Sequence, residues 1–185
     1  MSGGGVVDAA GSADSADTTD SADSTDAADS TDVADGSAMQ AFGQALAGRL
    51  RAGDLVVLSG GLGAGKTTLT QGIGAGLGVR GPVTSPTFVI SRVHPSLVGG
   101  PALVHVDAYR LGDAFEVDDL DLDTSLDDSV TVVEWGEGKV EGLAEDRLEI
   151  HIEVVDGSEL RWVHVVGVGA RWRSQQPAGL QRSSE

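Results

Sequence analysis

Apolar residues recur at helical spacing in the first part of the chain that carries large hydrophobic side chains. They follow Ser37, a residue type that commonly caps a helix N-terminus, and Gly53 comes after them. The four apolar positions are Met39, Phe42, Leu46 and Leu50. The pattern therefore predicts an amphipathic helix that has Ser37 as its N-cap and is ended by Gly53.

The apolar pattern then changes to short runs that predict strands. These runs cover 55–58, 87–93, 102–106, 130–133, 148–155 and 160–168. The runs near 56, 104 and 132 are unbroken, as in parallel strands buried on both faces. The run from 148 alternates apolar and polar residues, and Asp156-Gly157-Ser158 separates it from the last run. This pair predicts an antiparallel hairpin at the C-terminal end of the sheet.

The two ends of the 185-residue chain differ from this body in composition. Residues 1–36 consist almost wholly of Gly, Ala, Ser, Thr and Asp, with nine Asp and no Lys or Arg. Such a segment buries too little apolar surface to offset its ordering entropy, so we expect a disordered acidic tail, with a docking segment as the alternative. The sequence thus predicts a domain at 37–169, followed by a flexible tail at 170–185 rich in Ser, Gln, Gly and Arg.

Charge and cysteine content exclude several classes of function. The formal net charge is −17 with no basic cluster, which argues against direct binding to a nucleic-acid backbone. Zero cysteines exclude disulfides, thiolate zinc sites and thiol catalysis. No run approaches the roughly 18 apolar residues of a spanning helix, and the N-terminus lacks a signal-peptide pattern. We expect a cytoplasmic protein with no membrane contact.

A phosphate-binding motif lies between the predicted strand at 55–58 and a helix predicted over 66–77. Gly60-Gly61-Leu62-Gly63-Ala64-Gly65-Lys66-Thr67 matches the pattern G-x-x-x-x-G-K-[ST]. Glycines let such a loop turn tightly and direct its amides at phosphate oxygens. Lys66 is expected to reach the β- and γ-phosphates, Thr67 to ligate Mg²⁺, and Thr68 to donate to the α-phosphate. The predicted fold class is α/β, P-loop NTPase-like, with a mixed, mainly parallel sheet flanked by helices.

A nucleotide-hydrolysing site also needs a carboxylate at the end of a neighbouring strand. Asp107 follows the run 102–106, and Glu134 follows the run 130–133. Both acids adjoin strongly apolar runs, where an unpartnered charge is costly. Spacing alone does not decide which of the two holds the metal and which positions water.

Four motifs in this order resemble the bacterial tRNA threonylcarbamoyladenosine biosynthesis ATPases, the TsaE (YjeE) family. They are the loop through Thr68, Ser85-Pro86-Thr87-Phe88, His105-Val106-Asp107-Ala108-Tyr109-Arg110 and Val133-Glu134-Trp135. The resemblance covers about 37–168. It implies a protein that binds ATP and Mg²⁺, hydrolyses ATP slowly and cycles the TsaD–TsaB complex, which modifies adenosine 37 of tRNA. Contact with tRNA would be indirect, through that complex.

The resemblance also implies roles for single residues. Glu134 becomes the Mg²⁺ acid and Asp107 the residue needed for hydrolysis, while Ser85 and Thr87 belong to a switch-like segment. Three further residues are carried over as switch, packing or partner positions: Tyr109, Arg110 and Trp135. The family usually carries an acid where this chain has Gly61, which bears on the hydrolysis rate but not on backbone binding of phosphate.

Two alternatives stay open from the residues themselves. A small-molecule kinase would share the phosphate loop, although such kinases generally clamp their acceptor with several arginines. Between Thr67 and Thr131 the chain offers only Arg80, Arg92 and Arg110. The other alternative is a non-catalytic module whose ATP-bound form docks partners. A GTPase is disfavoured because N-K-x-D does not occur and D-x-x-G occurs only at 8–11, within the acidic tail.

Overall fold

A computed structural model describes residues 27–112 and 126–173. Its strands are β1 (Ala27–Val33), β2 (Leu55–Gly60), β3 (Ser91–His94), β4 (Ala102–Asp107), β5 (Ser129–Glu134), β6 (Arg147–Val154) and β7 (Arg161–Val168). Its helices are α1 (Gly36–Ala47), α2 (Lys66–Leu77) and α3 (Ala170–Arg173), with a 3-10 turn at Glu141–Leu143. In this part of the chain the strands form one sheet, in the order β1-β7-β6-β2-β5-β4-β3.

The centre of the sheet is parallel and its margins are antiparallel. β4, β5, β2 and β6 run parallel to one another, whereas β3 pairs antiparallel with β4, β7 with β6, and β1 with β7. Every residue of β5 and the first four of β2 are buried, as expected of strands covered on both faces. The predicted α/β fold class, with its C-terminal antiparallel hairpin, is confirmed.

The described helices lie on one face of the sheet. Side chains of α1 and α2 pack into one core with alternate residues of β2, β5, β6 and β7. A second core lies on the other face, where loop residues near Ala108, Leu111 and Val140 cover β2 and β4. The helical layer therefore holds α2 over the carboxyl ends of the central strands.

Glycines allow α1 and α2 to approach closely. A Cβ built on Gly72 would lie 2.3 Å from the Gln40 carbonyl oxygen, and one built on Gly43 would lie 2.5 Å from the Leu69 carbonyl oxygen. Either contact would force the helix backbones apart. Glycine is costly inside a helix, and here the cost is offset by close packing.

The N-terminal boundary of the predicted domain was wrong. Residues 27–33, assigned to the disordered tail, form β1, an edge strand that pairs along its length with β7 and buries Val33. The composition of residues 27–33 does not indicate a strand, because main-chain pairing, rather than apolar side chains, orders β1. Residues 1–26 of the predicted tail lie outside the described residues.

Both predicted ends of the first helix were also wrong. Asp35, not Ser37, is the N-cap, and its carboxylate accepts a hydrogen bond from the Ala38 amide at 2.8 Å. That bond lowers the pKa of Asp35. The helix ends at Ala47 and is capped by Gly48, so Leu50 packs from the following loop.

Part of the predicted C-terminal tail is ordered as well. α3 buries Trp172, and Arg171 forms a two-pronged ion pair with the buried Asp54. This pairing raises the pKa of Arg171. Residues 174–185 lie outside the described residues, and among those described no helix is long and apolar enough to cross a membrane.

The strand predicted at 87–93 is shorter than expected. β3 begins at Ser91, and the residues before it form a loop in which Ile90 adopts a φ of 69°. Side-chain hydrogen bonds hold Thr87 toward Asp107 instead of leaving it in the ladder. We call residues 84–90 the switch loop.

Candidate nucleotide-binding site

The loop 60–67 joins the carboxyl end of β2 to the first turn of α2. Gly60, Gly63 and Gly65 all have positive φ, at 132°, 76° and 114°. A Cβ on Gly60 would lie 2.3 Å from the Ile152 carbonyl oxygen, so only glycine fits there. Gly65 precedes α2 without a side-chain cap, which leaves the first amides of the helix facing the loop. This is the arrangement of a helix N-terminus that binds phosphate.

Lys66 is the buried cation of the site. Its Nζ donates to the carbonyl oxygens of Gly60 and Gly61 at 2.8 and 2.9 Å, and it lies 3.6 Å from the centroid of the Trp135 ring. Burial lowers the pKa of Lys66, while the charges of Glu134 and Asp107 oppose that shift. An anion within reach of this ammonium would reinforce the charged form.

Thr67 and Glu134 form the oxygen pair of the site. The Thr67 hydroxyl donates to the two Glu134 carboxylate oxygens, at 2.9 and 3.1 Å. Hard oxygen donors of this kind suit Mg²⁺, which is usually held by one or two carboxylates together with phosphates and water. The described residues contain no group of three or more His, Cys, Asp or Glu placed to hold a metal, so they offer no cage of protein ligands alone. The donor set fits Mg²⁺ that arrives with a nucleotide.

Asp107 stands beside Glu134 because the two residues are register partners at the ends of β4 and β5. One Asp107 oxygen accepts from the Tyr109 amide at 3.0 Å. The other accepts from the hydroxyls of Thr87 and, at 3.4 Å, Ser85. The carboxylate is buried and is one of the points at which the switch loop attaches to the sheet.

An aromatic pair forms one wall of the site. The rings of Tyr109 and Trp135 lie 5.1 Å apart, and Trp135 has a φ of 62°, an uncommon conformation for a bulky residue. A cavity of about 420 Å³ adjoins this wall and the loop. It is lined by Ser59, Gly60, Gly61, Tyr109, Trp135, Glu137, Lys139 and His151.

The remaining predicted positions lie around this centre. Leu62 is 92% exposed at the tip of the loop, and Ala64 is buried beneath it. Thr68 lies half-buried in the first turn of α2. Arg110 donates to the Thr87 carbonyl oxygen and lies 6.0 Å from the Phe88 ring, so it braces the switch loop and does not point at the acids.

Sequence reasoning underrated two residues of the site. The sequence pattern assigned no role to His105, but its Nε2 lies 2.8 Å from Glu134 Oε1. Lys139 was not considered, although its Nζ ties the carbonyls of Ala108 and Leu111 together at 2.8 Å each. The two-residue spacing of His105 and Asp107 on one strand was the available signal, because it places both on the same face.

A protein-family model and relatives from other organisms both match this chain. The family model described as "Threonylcarbamoyl adenosine biosynthesis protein TsaE" matches residues 33–161. A relative from Streptomyces coelicolor named "tRNA threonylcarbamoyladenosine biosynthesis protein TsaE" is 67% identical over 138 residues, covering 72% of this chain and 93% of its own length. A relative of the same name from Mycobacterium bovis is 53% identical over 126 residues, which cover 64% of this chain and 75% of that relative's length.

A solved structure agrees at the level of the fold. The crystal structure of Bacillus subtilis YdiB superposes with a TM-score of 0.65 at 29% identity, covering 80% of this chain and 91% of that one. The matched family region holds β2, α2, β4 and β5, the elements that carry the loop and both carboxylates. The chain therefore belongs to the TsaE family of threonylcarbamoyl adenosine biosynthesis proteins.

Proposed function

We propose that this protein is a Mg²⁺-dependent ATPase that serves the threonylcarbamoyladenosine modification of tRNA. Membership of the TsaE family supports the pathway. One observation carries the ATPase assignment: the glycine loop presents Lys66 and Thr67 beside two carboxylates, Glu134 and Asp107, at the ends of adjacent parallel strands. That combination suits triphosphate binding and hydrolysis.

The binding half of the proposal rests on the loop and the start of α2. Amides of residues 60–67 would hold the phosphate oxygens, with Lys66 exchanging its carbonyl contacts for the β- and γ-phosphates. Thr67 and Glu134 would hold Mg²⁺, which neutralises charge on the phosphates when bound. Residues 60–65 contribute backbone groups, so their part in binding depends on the shape of the loop, whereas Lys66 contributes its side chain.

The hydrolytic half rests on Asp107. Its carboxylate is fixed by the Tyr109 amide and by hydroxyls of the switch loop, so it is held at one position and can orient an attacking water. Because Ser85 and Thr87 bond to the same carboxylate, movement of the switch loop would change Asp107 directly. We infer that this connection couples turnover to whatever contacts the loop.

A further part of the proposal concerns the TsaD–TsaB complex. The switch loop carries Phe88, which is 91% exposed, and Tyr109, which follows β4, is 62% exposed. Large exposed apolar side chains beside a site are typical of protein contacts. The net charge of −17 favours contact with tRNA through protein partners and not directly. The ATPase would cycle the complex between rounds of modification, and slow hydrolysis would suit that task.

The deciding experiment measures ATP binding and turnover by the purified chain, alone and with TsaD and TsaB. We expect ATP binding that requires the loop, slow turnover alone, altered turnover with the partners, and association that depends on ATP. A lack of nucleotide binding by calorimetry with Mg²⁺ present would contradict the proposal. Efficient phosphate transfer to a small acceptor would show a kinase instead.

A further inference from the structure

His105 is a fully buried polar side chain next to the site, and the roles given so far do not use it. It is 0% exposed, and its Nε2 lies 2.8 Å from Glu134 Oε1. Its other ring nitrogen, Nδ1, is buried without a hydrogen-bond partner among the described residues. The ring therefore has one polar contact in this part of the chain, and that contact is the carboxylate of the metal site.

The strand geometry explains why the histidine reaches this carboxylate. In the parallel ladder Asp107 is the register partner of Glu134, and His105 is two residues earlier on β4. Residues two apart on a strand share a face, so His105, Asp107 and Glu134 all point toward α2. β4 thus supplies two side chains to the site: Asp107, the register partner of Glu134, and His105, which contacts the Glu134 carboxylate.

The two carboxylate oxygens of Glu134 differ in the number of hydrogen bonds that they accept. Oε1 accepts from both His105 and Thr67, whereas Oε2 accepts from Thr67 alone, at 3.1 Å. A carboxylate oxygen has two lone-pair directions, so Oε1 is saturated and Oε2 retains acceptor capacity. The contact with His105 would persist when Thr67 turns its hydroxyl oxygen toward a metal.

Stability alone does not favour a histidine at this position. A buried polar group without its full set of hydrogen bonds is destabilising, and the ring sits next to an apolar core that contains Leu103. An apolar side chain of similar size would avoid the unpaired Nδ1. A residue that lowers stability next to a functional carboxylate is expected where function gains from it.

We propose that His105 is a positioning residue, whose Nε2–H donates to Glu134 Oε1 and fixes the carboxylate for Mg²⁺. The proposal rests on the proposed function, since it assigns His105 to the metal site of that ATPase. A side chain that hydrogen-bonds to a metal-binding carboxylate commonly increases metal affinity 10- to 100-fold.

The test compares variants that differ in where they place a donor. His105→Gln places an N–H near the position of Nε2, His105→Asn places it near that of Nδ1, and His105→Leu has none. Mg²⁺ is titrated calorimetrically into each full-length protein preloaded with ADP, with ADP binding in EDTA and the melting temperature measured alongside. We expect the Leu and Asn variants to need at least about 10-fold more Mg²⁺ and the Gln variant to stay near the parent.

The separate readouts distinguish the possible failures. We expect ADP binding in EDTA to be the same in all four proteins, and the melting temperature shows whether each variant folds. If Leu does not fold, the Gln and Asn pair decides. Two results would overturn the role of His105 without affecting the proposed function. In one, the Asn and Leu variants titrate with Mg²⁺ like the parent; in the other, Mg²⁺ binding is weakened equally in the Gln and Asn variants. A parent that binds no nucleotide would overturn this role together with the proposed function.

Discussion

The phosphate loop and the switch loop flank the same two carboxylates but are built in opposite ways. The phosphate loop, 60–67, lies between a buried strand and a helix, and its shape is fixed by glycine conformations and by Lys66, which is 5% exposed. The switch loop, 84–90, exposes Phe88 and is held by a small number of contacts. They include hydroxyl bonds from Ser85 and Thr87 to the Asp107 carboxylate and a backbone bond from the Asp107 amide to the Ile90 carbonyl.

Because of this difference, we expect the phosphate loop to determine nucleotide binding and the switch loop to determine turnover. A site fixed by backbone conformation holds phosphate in one geometry, whereas a loop held by a few hydroxyl contacts can be released at small cost. We therefore expect changes in the phosphate loop to alter nucleotide affinity, and changes at the switch loop to alter kcat with affinity preserved. The following substitutions test that division.

The largest effect is expected for Lys66→Ala. It removes the charged donor at the loop while leaving the glycine conformations in place, so nucleotide affinity should fall at least about 100-fold, or about 3 kcal/mol. Calorimetric titration with ATP and Mg²⁺ measures this loss. The matched control is Lys139→Ala, because the second lysine of the sequence donates to the carbonyls of Ala108 and Leu111 instead. Equal losses in both variants would mean that net charge, and not the position of Lys66, determines binding.

Asp107→Ala should give the opposite phenotype. Its loss frees the hydroxyls of Ser85 and Thr87 and removes the carboxylate that we propose to orient water, so kcat should fall about 100-fold while affinity for ATP stays near the parent value. Steady-state turnover and calorimetry together provide the measurement. Glu137→Gln, which changes an exposed acid that lines the adjoining cavity, serves as the control. If Asp107→Ala loses binding as severely as Lys66→Ala, the division between the two loops is wrong.

The phosphate loop was predictable because its signal is contiguous. The run 55–58, the glycine motif and the helix 66–77 follow one another in sequence, and the structure places β2 and α2 where that pattern predicts them. The acids Asp107 and Glu134 were predictable as strand ends for the same reason. Their adjacency followed from parallel pairing, which unbroken apolar runs favour.

Features set by distant pairing were missed. β1 is ordered by β7, so Ser30 bonds to His164 across 134 positions of sequence, and nothing near Ser30 signals that partner. The contact between His105 and Glu134 depends on the register of β4 against β5, which composition and local period do not specify. The bend of the switch loop was missed because the hydroxyl of Thr87 bonds to Asp107, against the β-propensity of its neighbours.

A smaller effect is expected for Thr87→Val, which keeps the side-chain shape and removes the hydroxyl. One hydrogen bond to a charged group contributes about 1.5 kcal/mol or more, so we expect kcat to fall about 10-fold with unchanged ATP affinity. Release of the loop should also speed chymotrypsin cleavage after Phe88. Thr87→Ser retains the hydroxyl and should behave like the parent in both assays. Parent-like kcat and cleavage in the Val variant would show that this bond does not hold the loop.

The smallest effect is expected for Gly61→Asp, which restores the acid that the TsaE family usually carries. A Cβ on Gly61 meets no atom within 4 Å, and its φ is not in the left-handed region, so unfolding free energy should change by less than about 0.5 kcal/mol. Phosphate is held by amides, and an exposed charge contributes under about 1 kcal/mol, so affinity should shift less than about fivefold. The adjacent Gly60→Ala is the contrast, because its φ of 132° and the Ile152 carbonyl 2.3 Å from its Cβ should make it strongly destabilising. If both variants melt like the parent, the loop is not fixed by glycine conformation, and the comparison between the two loops loses its physical basis.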